Sequence, residues 1–176
     1  MTKGLTHIYT GDGKGKTTAA MGLALRALGA GLKVRIFQFC KNQPTGELAS
    51  IGKIAPGIVR RADCPVKKFV WDMTEAEKSD WSEAQQALFD EACDAACDKD
   101  VDVVVMDEAL GAASAGALGV DQLAYLIAHK YRGTELVLTG RDAPAKLIEL
   151  ADYVTEMRMI KHPYAEGVQA RKGIEY

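Results

Sequence analysis

The chain has 176 residues, 48% of them hydrophobic and 26% charged, enough for one domain spanning 1–176 that buries a core without disulfides or a structural metal. Twenty-two basic and twenty-four acidic side chains give a formal net charge of −2, which excludes a whole-protein field that would recruit nucleic acid or an anionic membrane. No run approaches the ~20 apolar residues of a membrane span. The four cysteines (Cys40, Cys64, Cys93, Cys97) lack zinc-ribbon spacing, and no cationic, apolar leader precedes the first strand, so the expectation is a cytoplasmic protein with reduced thiols.

Leu5 to Tyr9 reads as a strand, and Gly11-Asp12-Gly13-Lys14-Gly15-Lys16-Thr17-Thr18 follows it directly. A helical run then continues to about Leu28, where Gly29 and Gly31 provide a stop. Strand, glycine-rich turn and helix start together gather backbone N–H groups and the positive end of a helix dipole around one anion, so this is a phosphate loop for a nucleoside triphosphate. Glycines 11, 13 and 15 alternate where the backbone must take positive φ or approach phosphate closely. Lys16 is expected to reach the terminal phosphates, the Thr17 hydroxyl to ligate Mg²⁺, and Lys14 to add a second cation. Against the common G-x-x-x-x-G-K-[ST] pattern the position five before Gly15 is Thr10, so the first glycine is displaced to Gly11.

Further strands are expected at Lys33 to Phe39 and Ile58 to Arg61, with residues 40–57 and 62–73 irregular. Phe69 and Trp71 alternate as an edge strand would. Thr74-Glu-Ala-Glu77 is a capping box opening a helix through about Lys99. In that helix Trp81, Ala84, Leu88, Ala92 and Ala95 recur at helical spacing and are expected to pack on the sheet. Cys93 and Cys97 stand one helical turn apart, and two ligands alone do not make a zinc site. Val101 to Met106 is an apolar strand ending in Asp107 and Glu108, the expected companion of a phosphate loop: one acid coordinates Mg²⁺ and the other orients a nucleophile. Asp121 and Asp142 look like caps of two more helices, the second with Pro144 in its first turn. A strand is expected at Glu135 to Thr139; its Leu136 to Leu138 stretch, like Val101 to Met106, is apolar enough to be central, and Arg141 follows it at the rim of the site or as a solvated arginine. A strand at Tyr153 to Met157 is the last, and His162 precedes a proline. Strands alternating with helices define an α/β fold with a mainly parallel sheet.

Gly11 to Thr18, Gln38-Phe39 with Lys41 and Gly46-Glu47, Met106-Asp-Glu108, Leu138-Thr-Gly-Arg141, Ala151 to Glu156, Lys161-His-Pro-Tyr164, and Gly173-Ile-Glu-Tyr176 together resemble the ATP:corrinoid adenosyltransferases of the cob(I)alamin adenosyltransferase type. The displaced first glycine is what the loop of that family looks like. The resemblance implies a P-loop NTPase fold of the RecA-like, three-layer α/β/α kind and transfer of the 5′-deoxyadenosyl group of ATP to the Co(I) of a reduced corrinoid, with triphosphate as leaving group. It implies that ATP lies reversed in the loop. Lys16, Thr17 and Glu108 match the family's triphosphate and Mg²⁺ (or Mn²⁺) residues, with Asp107 and Thr18 beside them; Asp12 fills a slot often held by asparagine. Arg141 matches an arginine at the mouth of the site, for phosphate or corrinoid contact, and His162 lies in a matching segment. Phe69 and Trp71 resemble the aromatic pair that excludes the lower ligand from cobalt; plain packing is the other reading of them. A homodimer and a flavoprotein reductant are further implications. Some relatives carry a helical extension over the corrinoid site; nine residues precede Thr10 here, so that cover is expected to be absent or supplied from elsewhere. The competing expectations are a RecA-like ATPase or small kinase, and a nucleotide- or corrinoid-binding protein without turnover.

Overall fold

A computed structural model of the protein describes residues 3–41, 43–66 and 68–175. Six strands form one sheet: β1 (Thr6–Thr10), β2 (Val34–Gln38), β3 (Val59–Arg61), β4 (Val103–Asp107), β5 (Glu135–Thr139) and β6 (Tyr153–Glu156). Their order is β3-β2-β4-β5-β1-β6, and every pairing is parallel. Parallel strands need crossovers, which are supplied by α1 (Lys16–Gly29), α2 (Gly46–Ile54), α3 (Glu75–Cys97), α4 (Ala109–Ser114), α5 (Val120–His129) and α6 (Ala145–Leu150). β4 and β5 occupy the centre, as their unbroken apolar runs require.

The pleat sorts the core into two layers. Val103 and Val105 of β4 pack with Ala20, Met21, Ala24 and Ala27 of α1 and Ile51 of α2. Val104 and Met106, pointing the other way, pack with Leu88, Phe89 and Ala92 of α3, Leu123 and Ile127 of α5, and Leu147 of α6. Helices on both faces make the three-layer α/β/α arrangement. Because all strands run one way, β1, β2, β4 and β5 end on the same edge, and their C-terminal turns converge there. Among the described residues no helix is long and apolar enough to cross a membrane.

Several local expectations are corrected. The segment 40–57 is not irregular throughout, since Gly46–Ile54 is helical. Gly119 caps α5 in place of Asp121, its N–H donating to Gln122 Oε1 at 2.8 Å, while Asp121 lies inside the helix and pairs with Lys146 at 2.7 Å. Asp142 has φ of 51° in a turn, and Pro144 is the extended cap of α6, not part of its first turn. Phe69 and Trp71 belong to no strand: Val70–Asp72 is a 3₁₀ turn that stacks the two rings. The capping box at Thr74 is present, with Thr74 N–H donating to Glu77 Oε2 at 2.8 Å and Glu77 N–H to Thr74 Oγ1 at 3.3 Å.

Candidate active site

β1 ends at Thr10 and the chain turns sharply through Gly11 (φ 100°) to Gly15 (φ 117°), both in backbone conformations that disfavour a side chain. Gly13 serves differently from its neighbours. Its φ is not positive, but a Cβ there would stand 2.6 Å from Met157 O and 2.8 Å from Arg158 C. Its N–H donates to Met157 O at 2.7 Å, and Asp12 Oδ1 accepts from Met159 N–H at 3.0 Å. The loop is thus clasped by the segment following β6. Asp12 is engaged in that clasp. Gly13→Ala is expected to push the segment away because both partners are rigid backbone, lowering stability by about 1–3 kcal/mol and weakening ATP binding. Thermal unfolding and calorimetric titration with MgATP check this; an unchanged midpoint would contradict the close approach.

Lys16, the first residue of α1, is only 8% exposed and its ammonium donates to Gly11 O (2.7 Å) and Gly13 O (2.8 Å). Burial pulls its pKa below the usual lysine range, with the Glu108 carboxylate opposing that shift. Thr17, one residue on, donates from Oγ1 to Asp107 Oδ1 at 2.8 Å, so the loop and the end of β4 meet. Asp107 is fully buried and also accepts from Thr139 Oγ1 (2.8 Å), Gln38 Nε2 (3.2 Å) and Lys41 Nζ (2.5 Å). Glu108 follows with φ of 61°, its N–H donating to Thr139 Oγ1 at 2.9 Å. That left-handed turn swings its carboxyl away from the strand into the cleft, where burial first and the neighbouring Asp107 second push its pKa up.

Asp12 to Thr18, Glu108, Arg141, His162, Ile174 and Glu175 line one cleft of about 280 Å³. A second, of about 530 Å³, adjoins it through Thr17, Thr18, Ile174 and Glu175, and reaches Lys41, Thr45 and Glu47. Arg141 is exposed on the rim. His162 also has a local job, its Nδ1 accepting from Tyr164 N–H at 3.2 Å as cap of the 3₁₀ turn Pro163–Glu166. Phe69 and Trp71 lie apart, bordering a 140 Å³ cavity with Cys64, Trp81 and Gln85, and Lys41 lines both this cavity and the larger cleft. Their rings stack at 4.7 Å with 4° between planes while remaining 66% and 77% exposed. Trp81 is buried beneath, against Cys64 and Met73. Cys93 is half-buried and Cys97 exposed, and among the described residues no group of three His, Cys, Asp or Glu could hold a metal alone.

Four participants carry no assigned role in the sequence reading: Lys41, Gln38, Thr139 and Arg61, whose Nε and Nη2 donate to Gln38 Oε1 at 2.9 and 2.7 Å. Gln38 had a legible signal, a polar side chain closing an apolar strand, and so had Thr139. Lys41 is delivered by a backbone twist at Cys40 that no residue pattern announces.

A phosphate loop clasped to a strand-end acid on a parallel α/β sheet defines a P-loop nucleotide-binding protein. The comparison with solved structures agrees on the fold: a KaiC-like protein from the hyperthermophilic archaeon Pyrococcus horikoshii superposes with a TM-score of 0.50 over 98% of this chain and 76% of its own, at 18% identity. The model of the ATP:corrinoid adenosyltransferase BtuR/CobO/CobP family matches residues 2–176, and the chain belongs to that family. It is 35% identical to the corrinoid adenosyltransferase of Pseudomonas aeruginosa, covering 99% of this chain and 84% of that protein. The corrinoid adenosyltransferase of Escherichia coli K12 is 33% identical over 99% of this chain and 86% of its own length, and corrinoid adenosyltransferase CobA of Salmonella typhimurium 32% identical over 99% and 86%.

Proposed function

We propose that the protein transfers the 5′-deoxyadenosyl group of ATP to the Co(I) centre of a reduced corrinoid and releases inorganic triphosphate. The observation that carries this reading is the junction of Lys16 and Thr17 with Asp107 and Glu108, in a chain that matches the transferase family from residue 2 to residue 176. In the reaction the cobalt electron pair forms the Co–C5′ bond, the C5′–O bond breaks, and its electrons leave on the triphosphate. Charge therefore grows on the oxygen bridging C5′ and the polyphosphate. Lys16, released from Gly11 O and Gly13 O, is placed to meet that charge together with the α1 N-terminus.

Thr17 Oγ1, Asp107 and Glu108 are hard oxygen donors and fit Mg²⁺ or Mn²⁺, which takes few protein ligands and several phosphate oxygens. When bound, the ion would supply Lewis-acid stabilisation of the leaving triphosphate. ATP lies reversed in the loop in this reading, Arg141 and His162 face it or the corrinoid from the rim, and the Phe69–Trp71 stack meets the corrinoid. A homodimer, a flavoprotein electron donor and a cytoplasmic setting complete the proposal. Incubation with MgATP and chemically reduced cobalamin is expected to yield triphosphate and a cobalt–carbon bond in equal amounts. Formation of ADP and phosphate alone would overturn it in favour of a hydrolase.

A further inference from the structure

Asp107 has no exposed surface, and among the described residues its carboxylate accepts from Thr17 and Thr139 on Oδ1 and from Gln38 and Lys41 on Oδ2. Three of these donors are neutral. Among the described residues Lys41 is the one cation within ion-pair distance, and its side chain is 22% exposed. A buried carboxylate needs such a counter-charge. Lys41 Nζ also donates to Thr17 Oγ1 at 3.2 Å. The ammonium therefore sits between the loop hydroxyl and the strand-end acid, the two groups to which the functional reading assigns the divalent ion.

The backbone delivers it there by design. Cys40, a non-glycine residue, is held at φ 57°, and its N–H donates to Oε1 of Gln85, a side chain of α3 that is 2% exposed. Phe39 N–H donates to Asp107 O at 2.9 Å, continuing the pairing of β2 with β4 up to the twist. A strained residue fixed from both sides turns the chain so that the next side chain points back along the sheet edge. The stem of Lys41 then forms wall shared by the nucleotide cleft and the aromatic cavity.

We propose that Lys41 is a resident counter-cation that occupies the divalent-ion position until metal and nucleotide arrive together. Its displacement makes metal binding conditional on the triphosphate, because the free ion must compete with a tethered ammonium while the metal–nucleotide complex brings contacts that outweigh it. The freed ammonium stays in the wall between nucleotide and aromatic pair. This inference rests on the assignment of the metal to Thr17 and Asp107.

The test is Mn²⁺ titration of nucleotide-free protein followed by electron paramagnetic resonance. Lys41→Met keeps the stem without the charge and is expected to bind Mn²⁺ at least about tenfold more tightly than wild type, with a lowered melting temperature that Mn²⁺ restores. Lys41→Arg retains a cation and is expected to match wild type. Should Lys41→Met fold poorly, Lys41→Gln enters the same titration with the same expectation. Equal Mn²⁺ affinity in wild type and the neutral variants overturns the inference. Mn·ATP binding to wild type and Asp107→Asn separates the two levels of argument. Binding lost in Asp107→Asn with no gain in Lys41→Met leaves the metal assignment standing and sinks only the role of Lys41; binding indifferent to Asp107→Asn sinks both.

Discussion

Replacing Lys16 by alanine is expected to lower the rate of adenosyl transfer by at least roughly 10²–10³-fold while leaving the fold in place, the loss typical when one preorganised donor to a developing oxyanion is removed. The size follows from where the ammonium sits. It is 8% exposed, held in the free protein by the Gly11 and Gly13 carbonyls at 2.7 and 2.8 Å, and in the proposed reaction it moves from them onto the leaving group at short range. An exposed lysine at the same distance would contribute far less. The structural cost is smaller: two carbonyls lose a charged donor, about 1.5–3 kcal/mol for such a bond, against a typical domain stability of about 5–15 kcal/mol. Water can enter an open cleft to replace it. Single-turnover rates with pre-reduced cobalamin, with circular dichroism as a check on folding, test the expectation; a rate within twofold of wild type would contradict the assignment of this loop as the triphosphate site.

The sequence exposes those parts of the site where chemistry restricts the residue. A loop that must take positive φ at Gly11 and Gly15 can use little else, and a helix that begins on its lysine leaves the pattern in plain view. β4 and β5 were equally legible, since a strand covered on both faces reads as an apolar run, and β5 begins and ends where its composition says. α2 was not: only Ile51 of its nine residues is buried, so no apolar face recurs strongly enough to mark it. Phe69 and Trp71 misled because alternation over three residues fits a strand and a 3₁₀ turn alike. What sequence could not hold was long-range geometry. The clasp of Met157 and Met159 onto Gly13 and Asp12 joins segments over 140 residues apart, and Lys41 reaches Asp107 only because Gln85, from a different layer, fixes the twist at Cys40. These are tertiary hydrogen bonds with no local signature. The family resemblance supplied the reaction, and the geometry explains why Gly13 must be glycine when its φ is ordinary.

Trp71→Ala is expected to separate two stages of the reaction. Trp71 is 77% exposed and Phe69 66%, stacked across a 3₁₀ turn that is anchored through Val70, which packs against the cluster of Cys64, Met73 and Trp81. Side chains this exposed contribute little to folding, and removing one typically shifts stability by no more than about 0.5 kcal/mol. An apolar pair held open to solvent is suited to a large, flat ligand. If it excludes the lower ligand from cobalt, its benefit falls on reduction: four-coordinate Co(II) accepts an electron more readily, whereas Co(I) delivered already reduced needs no such help. The variant should therefore lose about tenfold or more, ~1.4 kcal/mol, when Co(II) is reduced on the protein, and stay near wild type when pre-reduced Co(I) is supplied. Trp81 provides the contrast, being buried against Cys64 and Met73, so Trp81→Ala should lower stability by about 3–5 kcal/mol and depress both assays together. Parallel losses in the two assays for Trp71→Ala would assign the exposed pair to packing instead and remove it from the corrinoid site.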